Sequence, residues 1–148
     1  MKTLLHSSAL LAFCFALSST SVSAAEVGKI KVSTGAVYIE RAAQRLPAPV
    51  GAEVLASDTI VTGENGSAGI TFIDNSRLSI GPNSVLGIDR LNFDQTTHDG
   101  AFDTSLKRGT LSVISGKIAK RSPDAMTVRT PSMILGVRGT EFVVRAGE

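Results

Sequence analysis

Few side chains in this sequence could carry out chemistry once the first 24 residues are set aside. His98 is then the only histidine, and no cysteine remains. A zinc site would have to depend on carboxylates, which suit zinc poorly without histidine or cysteine ligands. A triad of serine, histidine and aspartate could use only His98, which lies in a polar stretch without the context of a nucleophile elbow. The sequence predicts no catalytic residue, no metal site and no cofactor.

Two weaker patterns do not change this prediction. Residues 109–117 end in Gly-Lys like a phosphate-binding loop, but Ile118 stands where a serine or threonine would contact magnesium. Four residues of one polar stretch could together hold a cation, yet their spacing matches no calcium-binding loop, and a solvated loop is favoured. These four residues are Asp94, His98, Asp99 and Asp103.

Charge is distributed unevenly along the sequence. The formal net charge is only +2, which gives no reason to expect a nucleic-acid partner. Residues 25–105 hold 6 basic and 10 acidic residues, whereas residues 106–148 hold 8 basic and 3 acidic residues. Such an asymmetry can indicate an anionic partner. The favoured explanation is that strands from both parts of the chain contribute to every surface.

Residues 1–24 have the pattern of a secretory signal peptide. A lysine near the start precedes a short apolar core at residues 9–17 and then a run of small residues. Cleavage is expected between Ala24 and Ala25. An uncleaved membrane anchor is disfavoured, because the apolar core is shorter than the roughly 18 residues that a spanning helix needs. We therefore expect a periplasmic or secreted domain, residues 25–148, without a transmembrane span.

Alternation of apolar and polar residues dominates the rest of the chain. Ile30 and Val32 alternate with Lys29 and Lys31, which is typical of a strand with one buried face. Similar short runs recur between turn residues, and no amphipathic helix is evident after the leader. The sequence predicts an all-β domain of about ten short strands in a β-solenoid-like roll, or alternatively a β-sandwich or barrel. Turns or loops are expected at residues 92–100, 107–109, 115–117 and 120–124.

The densest run of informative residues is 129–144. Pro131 favours extended geometry at Thr130, while Gly136 and Gly139 indicate a bulge, a bend or a close approach of the backbone. These residues predict a constrained turn between two strands.

Arg138 and Glu141 are the charged side chains of this run. Their neighbours Val137 and Phe142 are apolar, so partial burial is expected, and a buried arginine needs a carboxylate. Glu141 and Asp58 are the candidate carboxylates. A paired charge that fixes the turn is favoured over an arginine that reads a ligand.

Several motifs occur in an order that resembles the FecR-domain family, whose namesake is the regulator of ferric-citrate uptake. The set includes D-T-I-V-T-G at residues 58–63 and A-G-I-T-F-I-D-N-S at 68–76. It ends with T-P at 130–131 and G-V-R-G-T-E-F at 136–142. The ordered set is specific, although no single motif is. The resemblance implies that thirteen residues of these motifs are structural or interaction positions. They are Asp58, Thr62, Gly63, Asp74, Thr130, Pro131, Gly136, Val137, Arg138, Gly139, Thr140, Glu141 and Phe142.

The resemblance implies a bacterial periplasmic or cell-envelope β domain. In the namesake regulators this domain relays a signal from an outer-membrane receptor to a cytoplasmic sigma factor. A cytoplasmic segment and a membrane-spanning helix precede it there. Because this sequence opens on a cleavable leader, we expect a free-standing secreted form, and sigma-factor regulation is not carried over.

The expected role is non-enzymatic, in protein interaction or envelope signalling. The partner would be an envelope or membrane protein, bound through exposed strand edges or through the loop at 92–100. The alternative is a binding module for a glycan or another anionic envelope polymer, which the basic C-terminal third motivates. The salt dependence of binding distinguishes a protein partner from an anionic polymer, because charge-driven binding weakens steeply with ionic strength, whereas strand addition does not.

Overall fold

The computed structural model describes residues 24–138 and 141–147, so the predicted leader lies outside it except for Ala24. The described residues form twelve strands, one α-helix and one 3₁₀ turn. The strands are β1 (Glu26–Thr34), β2 (Val37–Arg41), β3 (Gln44–Pro47), β4 (Glu53–Leu55), β5 (Thr59–Thr62), β6 (Ser67–Phe72), β7 (Arg77–Ile80), β8 (Val85–Phe93), β9 (Gly100–Ile114), β10 (Met126–Arg129), β11 (Ile134–Gly136) and β12 (Glu141–Ala146). Helix α1 (Lys117–Arg121) and the 3₁₀ turn (Pro123–Ala125) connect β9 to β10.

The strands follow the alternation seen in the sequence, except in β1, where a bulge between Ile30 and Val32 leaves Val32 exposed although burial beside Ile30 was expected. In β6, Ala68, Ile70 and Phe72 are buried, while the residues between them are partly exposed. Successive side chains of a strand point to opposite faces, so this pattern buries one face of the sheet. The all-β class is confirmed, with twelve strands in the described residues where about ten were expected.

All these strands belong to one continuous sheet, whose two halves share β9. One half has the order β4-β1-β6-β7-β9-β12, and the other has the order β3-β2-β5-β8-β9-β10-β11. Every pairing is antiparallel except that of β9 with β10. Strands β7 and β8 follow each other along one edge of β9, so β10 and β12 both lie on its opposite edge.

Strand β9 serves both halves because it continues through a predicted turn. Val85 and Leu86 are consecutive on β8, yet they pair with Arg108 and Leu106. Lys107 is therefore the extra residue of a β-bulge, which bends the strand without ending it.

Gly109 completes the bend. Its φ of 98° lies in the left-handed region, and a Cβ atom on it would overlap Ser84. The Ser84 hydroxyl oxygen accepts a hydrogen bond from Thr110 N–H at 3.1 Å. Both the backbone and the available space require glycine here. The turn predicted at residues 107–109 is therefore a bend inside one 15-residue strand.

The two halves curl onto each other around one apolar core. The rings of Phe72 on β6 and Phe102 on β9 have centroids 4.7 Å apart, and Phe102 lies in the part of β9 that pairs with β8 and β10 of the other half. This arrangement is compatible with the sandwich or barrel alternative, and the solenoid-like roll is not confirmed.

Helix α1 corrects the expectation that no helix follows the leader. It occupies residues predicted as turn and loop, and it buries Ile118 and Ala119 against the core. With 5 residues it is too short to show helical periodicity in the sequence.

Candidate interaction surface

Asp58 is a buried carboxylate with partners inside the domain. It accepts hydrogen bonds from Arg41 Nε at 2.8 Å, from Arg41 Nη2 at 2.7 Å and from Leu55 N–H at 2.8 Å. The same Nη2 donates to the carbonyl oxygen of Glu53 at 3.1 Å. These bonds fix β2 to the β4–β5 connection. Because its oxygens are occupied and it is 1% exposed, Asp58 has a structural position.

Thr62 and Gly63 lie where β5 meets the turn between β7 and β8. The hydroxyl of Thr62 donates to the carbonyl oxygen of Gly81 at 2.7 Å and accepts from Ser84 N–H at 3.0 Å. The carbonyl oxygen of Gly63 accepts from Asn83 N–H at 3.0 Å. The buried hydroxyl thus satisfies a turn that would otherwise leave backbone groups without partners.

Asp74 performs a similar role for the start of α1. Its carboxylate accepts from Ser76 N–H at 2.9 Å and from the Ser76 hydroxyl at 2.7 Å. That hydroxyl oxygen accepts from Gly116 N–H at 2.9 Å, and the carbonyl oxygen of Asp74 accepts from Lys117 N–H at 2.8 Å. A Cβ atom on Gly116 would overlap the Asp74 backbone, so the two segments touch directly.

Thr130 and Pro131 open the connection between β10 and β11. Thr130 N–H donates to the carbonyl oxygen of Met133 at 2.8 Å, and Met133 N–H donates to the Thr130 hydroxyl oxygen at 3.2 Å. Val137 is buried, and its N–H donates to the carbonyl oxygen of Met126 at 2.9 Å. These bonds close a hairpin whose tip is exposed.

Gly136 makes no close backbone approach, which was one of the three alternatives predicted for it beside a bulge and a bend. It is exposed on β11, and a Cβ atom on it would meet only Asp124 Oδ1, at 4.0 Å. The constraint on this turn comes from the hydrogen bonds of Thr130 and Val137 instead. Gly139 and Thr140 lie outside the described residues.

The predicted pairing of Arg138 is wrong. Its Nη2 lies 3.3 Å from Asp124 Oδ1, and both side chains are exposed. Asp58 is paired with Arg41, while Glu141 is exposed at the start of β12. Phe142, beside it, is partly buried against the core. Arg138 and Glu141 therefore lie at the surface and do not anchor the turn from within.

The loop between β8 and β9 is shorter than residues 92–100, because both strands extend into it. Asp94 accepts hydrogen bonds from Thr97 N–H at 3.0 Å and from Thr96 N–H at 2.7 Å. These bonds, that from Thr97 above all, hold the pKa of Asp94 below its ordinary value. They shape an exposed turn.

The other polar residues of this region are engaged separately. Asp99 pairs with Arg121 at 3.2 Å, and Asp103 pairs with Arg90 at 2.7 Å. In residues 24–138 and 141–147, no group of three or more histidine, cysteine, aspartate or glutamate residues is placed to hold a metal ion. His98 has a φ of 62° in the exposed turn.

Exposed apolar side chains mark two strands at the edges of the sheet. Ile134 on β11 and Val143 on β12 are each 65% exposed, and Met133 precedes β11 at 50%. Among the described strands, β11 pairs only with β10 and β12 only with β9, so each leaves one edge open. These side chains were not among the predicted site residues, since their outward direction is evident only from the register of the strands.

Protein-family models match this chain to the FecR protein family over residues 58–148. The chain belongs to the FecR family. The resemblance inferred from the ordered motifs is thereby confirmed. No curated protein and no solved structure matches the chain. Members of the FecR family are regulatory or signalling domains, and the family is not a known enzyme family.

The FecR match starts at Asp58, just before β5, although the sheet begins earlier. Strand β1 pairs with β6, and β2 pairs with β5, so the preceding strands belong to the same sheet as the FecR segment. The described part of the chain contains no helix with the length and apolarity needed to cross a membrane.

Proposed function

We propose that this chain is a cell-envelope domain of the FecR family that binds a protein partner and catalyses no reaction. Family membership supports the regulatory or signalling character. The observation that carries the proposal is the pair of open edges with exposed apolar side chains, on β11 and β12. An open edge presents backbone donors and acceptors that a strand of another protein can satisfy.

Site-specific photocrosslinking in cells tests this proposal. A photoreactive phenylalanine analogue replaces Val143 in the tagged full-length chain. In the control it replaces Val50, which is 63% exposed against 65% for Val143 but lies in a loop. We expect one envelope protein to be crosslinked from position 143 and not from position 50. Equal capture from both positions, or no captured protein from position 143 or from Ile134, would contradict the proposal.

We further propose that residues 1–24 direct export and are cleaved between Ala24 and Ala25. The charge, the apolar core and the small residues of the leader support this. Cell fractionation followed by intact-mass measurement tests it. We expect a periplasmic protein that begins at Ala25, whereas an unprocessed chain in the cytoplasmic fraction would refute the export proposal.

Binding of an anionic envelope polymer is the second candidate function. A set of exposed cations favours it, because they form no ion pair within residues 24–138 and 141–147. Co-sedimentation with isolated cell-wall material that decreases steeply with added salt would support this candidate. Co-sedimentation that is absent or independent of salt would exclude it. The cations are Lys107, Arg108, Arg129 and Arg145.

A further inference from the structure

One edge of β9 is covered by two strands with an opening between them. Strand β10 pairs along this edge as far as Ser105, and β12 pairs along it from Gly109 onward. Residues 106–108 have no strand partner on this edge in the described part of the chain, although β8 covers their other edge. The bulged Lys107 lies within the opening.

A cavity of about 260 Å³ occupies the opening. Lys107 and Arg129 both border it, and neither forms an ion pair with another described residue. The Ser105 hydroxyl of the lining donates a hydrogen bond to the carboxylate of Asp89, which is not itself part of the lining. The cavity is therefore cationic on two sides. Its lining consists of Ser105, Leu106, Lys107, Arg129, Thr130 and Pro131.

Exposed apolar groups continue the cavity towards the hairpin tip. Ile134 lies directly opposite Arg129 in the β10–β11 pair, so the two side chains share the outer face. Met133 accepts a backbone hydrogen bond from Thr130 N–H, donates one to the Thr130 hydroxyl oxygen, and is half exposed. We name Lys107, Arg129, Pro131, Met133 and Ile134 together the hairpin surface.

The open backbone favours a peptide over an anionic polymer as the occupant. Lys107 and Arg108 are exposed and have no strand partner on this edge, so an added strand could pair with them there, whereas Leu106 is fully buried and Gly147 adjoins Arg108. Phosphate and carboxylate groups of a polymer accept hydrogen bonds but donate none when ionised. An extended peptide does both, and its side chains can meet the cations and Ile134 in turn.

We propose that the hairpin surface binds an extended segment of the partner protein in which carboxylate side chains alternate with apolar ones. The proposal rests on the protein-binding function proposed above and specifies the chemistry of the partner. The carboxylates would pair with Lys107 and Arg129, and an apolar side chain would cover Ile134.

Selection of short random peptides displayed on phage, against the folded full-length chain, tests the proposal without a known partner. The selected peptides are synthesised, labelled and titrated by fluorescence anisotropy. The test variant is Lys107→Glu with Arg129→Glu. The matched control is Lys31→Glu with Arg77→Glu, since both of these cations are exposed, free of ion pairs within the described residues and located on the other half of the sheet. Thermal melting of both variants verifies that they fold.

We expect selected peptides rich in Asp and Glu between apolar residues. Their affinity should fall by about tenfold or more in the test variant and stay unchanged in the control. N-methylation of alternate peptide nitrogens should also weaken binding, because it removes the backbone donors. Acidic peptides that bind both variants equally, or a selection with no acidic preference, would overturn the proposal.

Two further outcomes identify which idea fails. Failure of all peptides, combined with binding of polyphosphate or of phosphatidylglycerol vesicles that depends on Lys107 and Arg129, would replace the peptide with an anionic polymer. A protein crosslinked from Val143 equally well in the test variant would leave the proposed function intact and refute only the role of the hairpin surface. Absence of any crosslinked protein would refute the proposed function itself.

Discussion

Burial decides how much each ion pair of this domain contributes to stability. Asp58 is buried beside Arg41, whereas Asp124 pairs with Arg138 at the surface. We expect Asp58→Asn to lower the free energy of unfolding by about 2–3 kcal/mol, because a buried network loses its charge and part of its hydrogen bonding. Asp124→Asn should change it by less than about 0.5 kcal/mol. Urea denaturation of the two variants measures both values, and equal losses would contradict the structural role of Asp58.

Gly109 and Gly136 provide a second contrast between residues. Valine at Gly109 would meet Ser84 and would have to adopt a positive φ, so we expect a loss of about 3 kcal/mol or failure to fold. Gly136 faces open space, and a β-branched residue suits its strand, so Gly136→Val should stay within about 0.5 kcal/mol of the parent. Thermal melting tests this order, and a larger shift for Gly136→Val would show that the hairpin is tighter than described.

Charge partners were the least predictable feature at the residue scale. The apolar neighbours of Arg138 suggested a buried position, but Arg138 lies beyond the end of β11 and faces solvent, although Val137 beside it is buried. The partner of Asp58 lies 17 residues earlier in the chain, at Arg41. Contacts at this separation depend on the register of β2 and β5, which alternation alone does not fix.

Most strands were predictable because their alternation is regular, as in β6. In β1 the alternation was misleading, because a bulge between Ile30 and Val32 leaves Val32 54% exposed. Strand β9 was not recognised as one element, because the residues Lys-Arg-Gly at 107–109 have the composition of a turn. The structure accommodates Lys107 as a bulge, which is evident only from the pairing of β9 with β8. The interaction surface was predictable only as a general expectation of exposed strand edges. Its location required the pairing of β9 with both β10 and β12.

The loop between β8 and β9 is an element that should tolerate replacement. Phe93 and Gly100 are the last paired residues of β8 and β9 before the loop. The loop contributes one exposed ion pair, between Asp99 and Arg121. We expect an Asn-Gly turn in place of residues 94–99 to lower stability by less than about 1 kcal/mol. Phe102→Ala, in the adjoining strand, should cost about 3–5 kcal/mol. Chemical denaturation compares the two, and a loop replacement that prevents folding would show that the loop is structural.

At the scale of the whole molecule, the shared strand predicts that both halves unfold together. The sequence has one tyrosine, Tyr38 on β2, and no tryptophan, so tyrosine fluorescence reports on one half only. Far-ultraviolet circular dichroism reports on the whole sheet. We expect the two urea transitions to coincide, because the halves have β9 and one core in common. A tyrosine transition at lower urea would show that the halves are separate units.

The position of β9 late in the sequence determines when, during synthesis, the fold can be completed. Eight strands are synthesised before it, and the two groups that they form are joined by strand pairing only through β9 among the described residues. Phe102, Leu106, Leu111 and Val113, all fully buried, come from this one strand. A growing polypeptide therefore cannot complete its core until Ile114 has been made. Through most of its synthesis the chain is accessible to chaperones and proteases, and its final fold forms late.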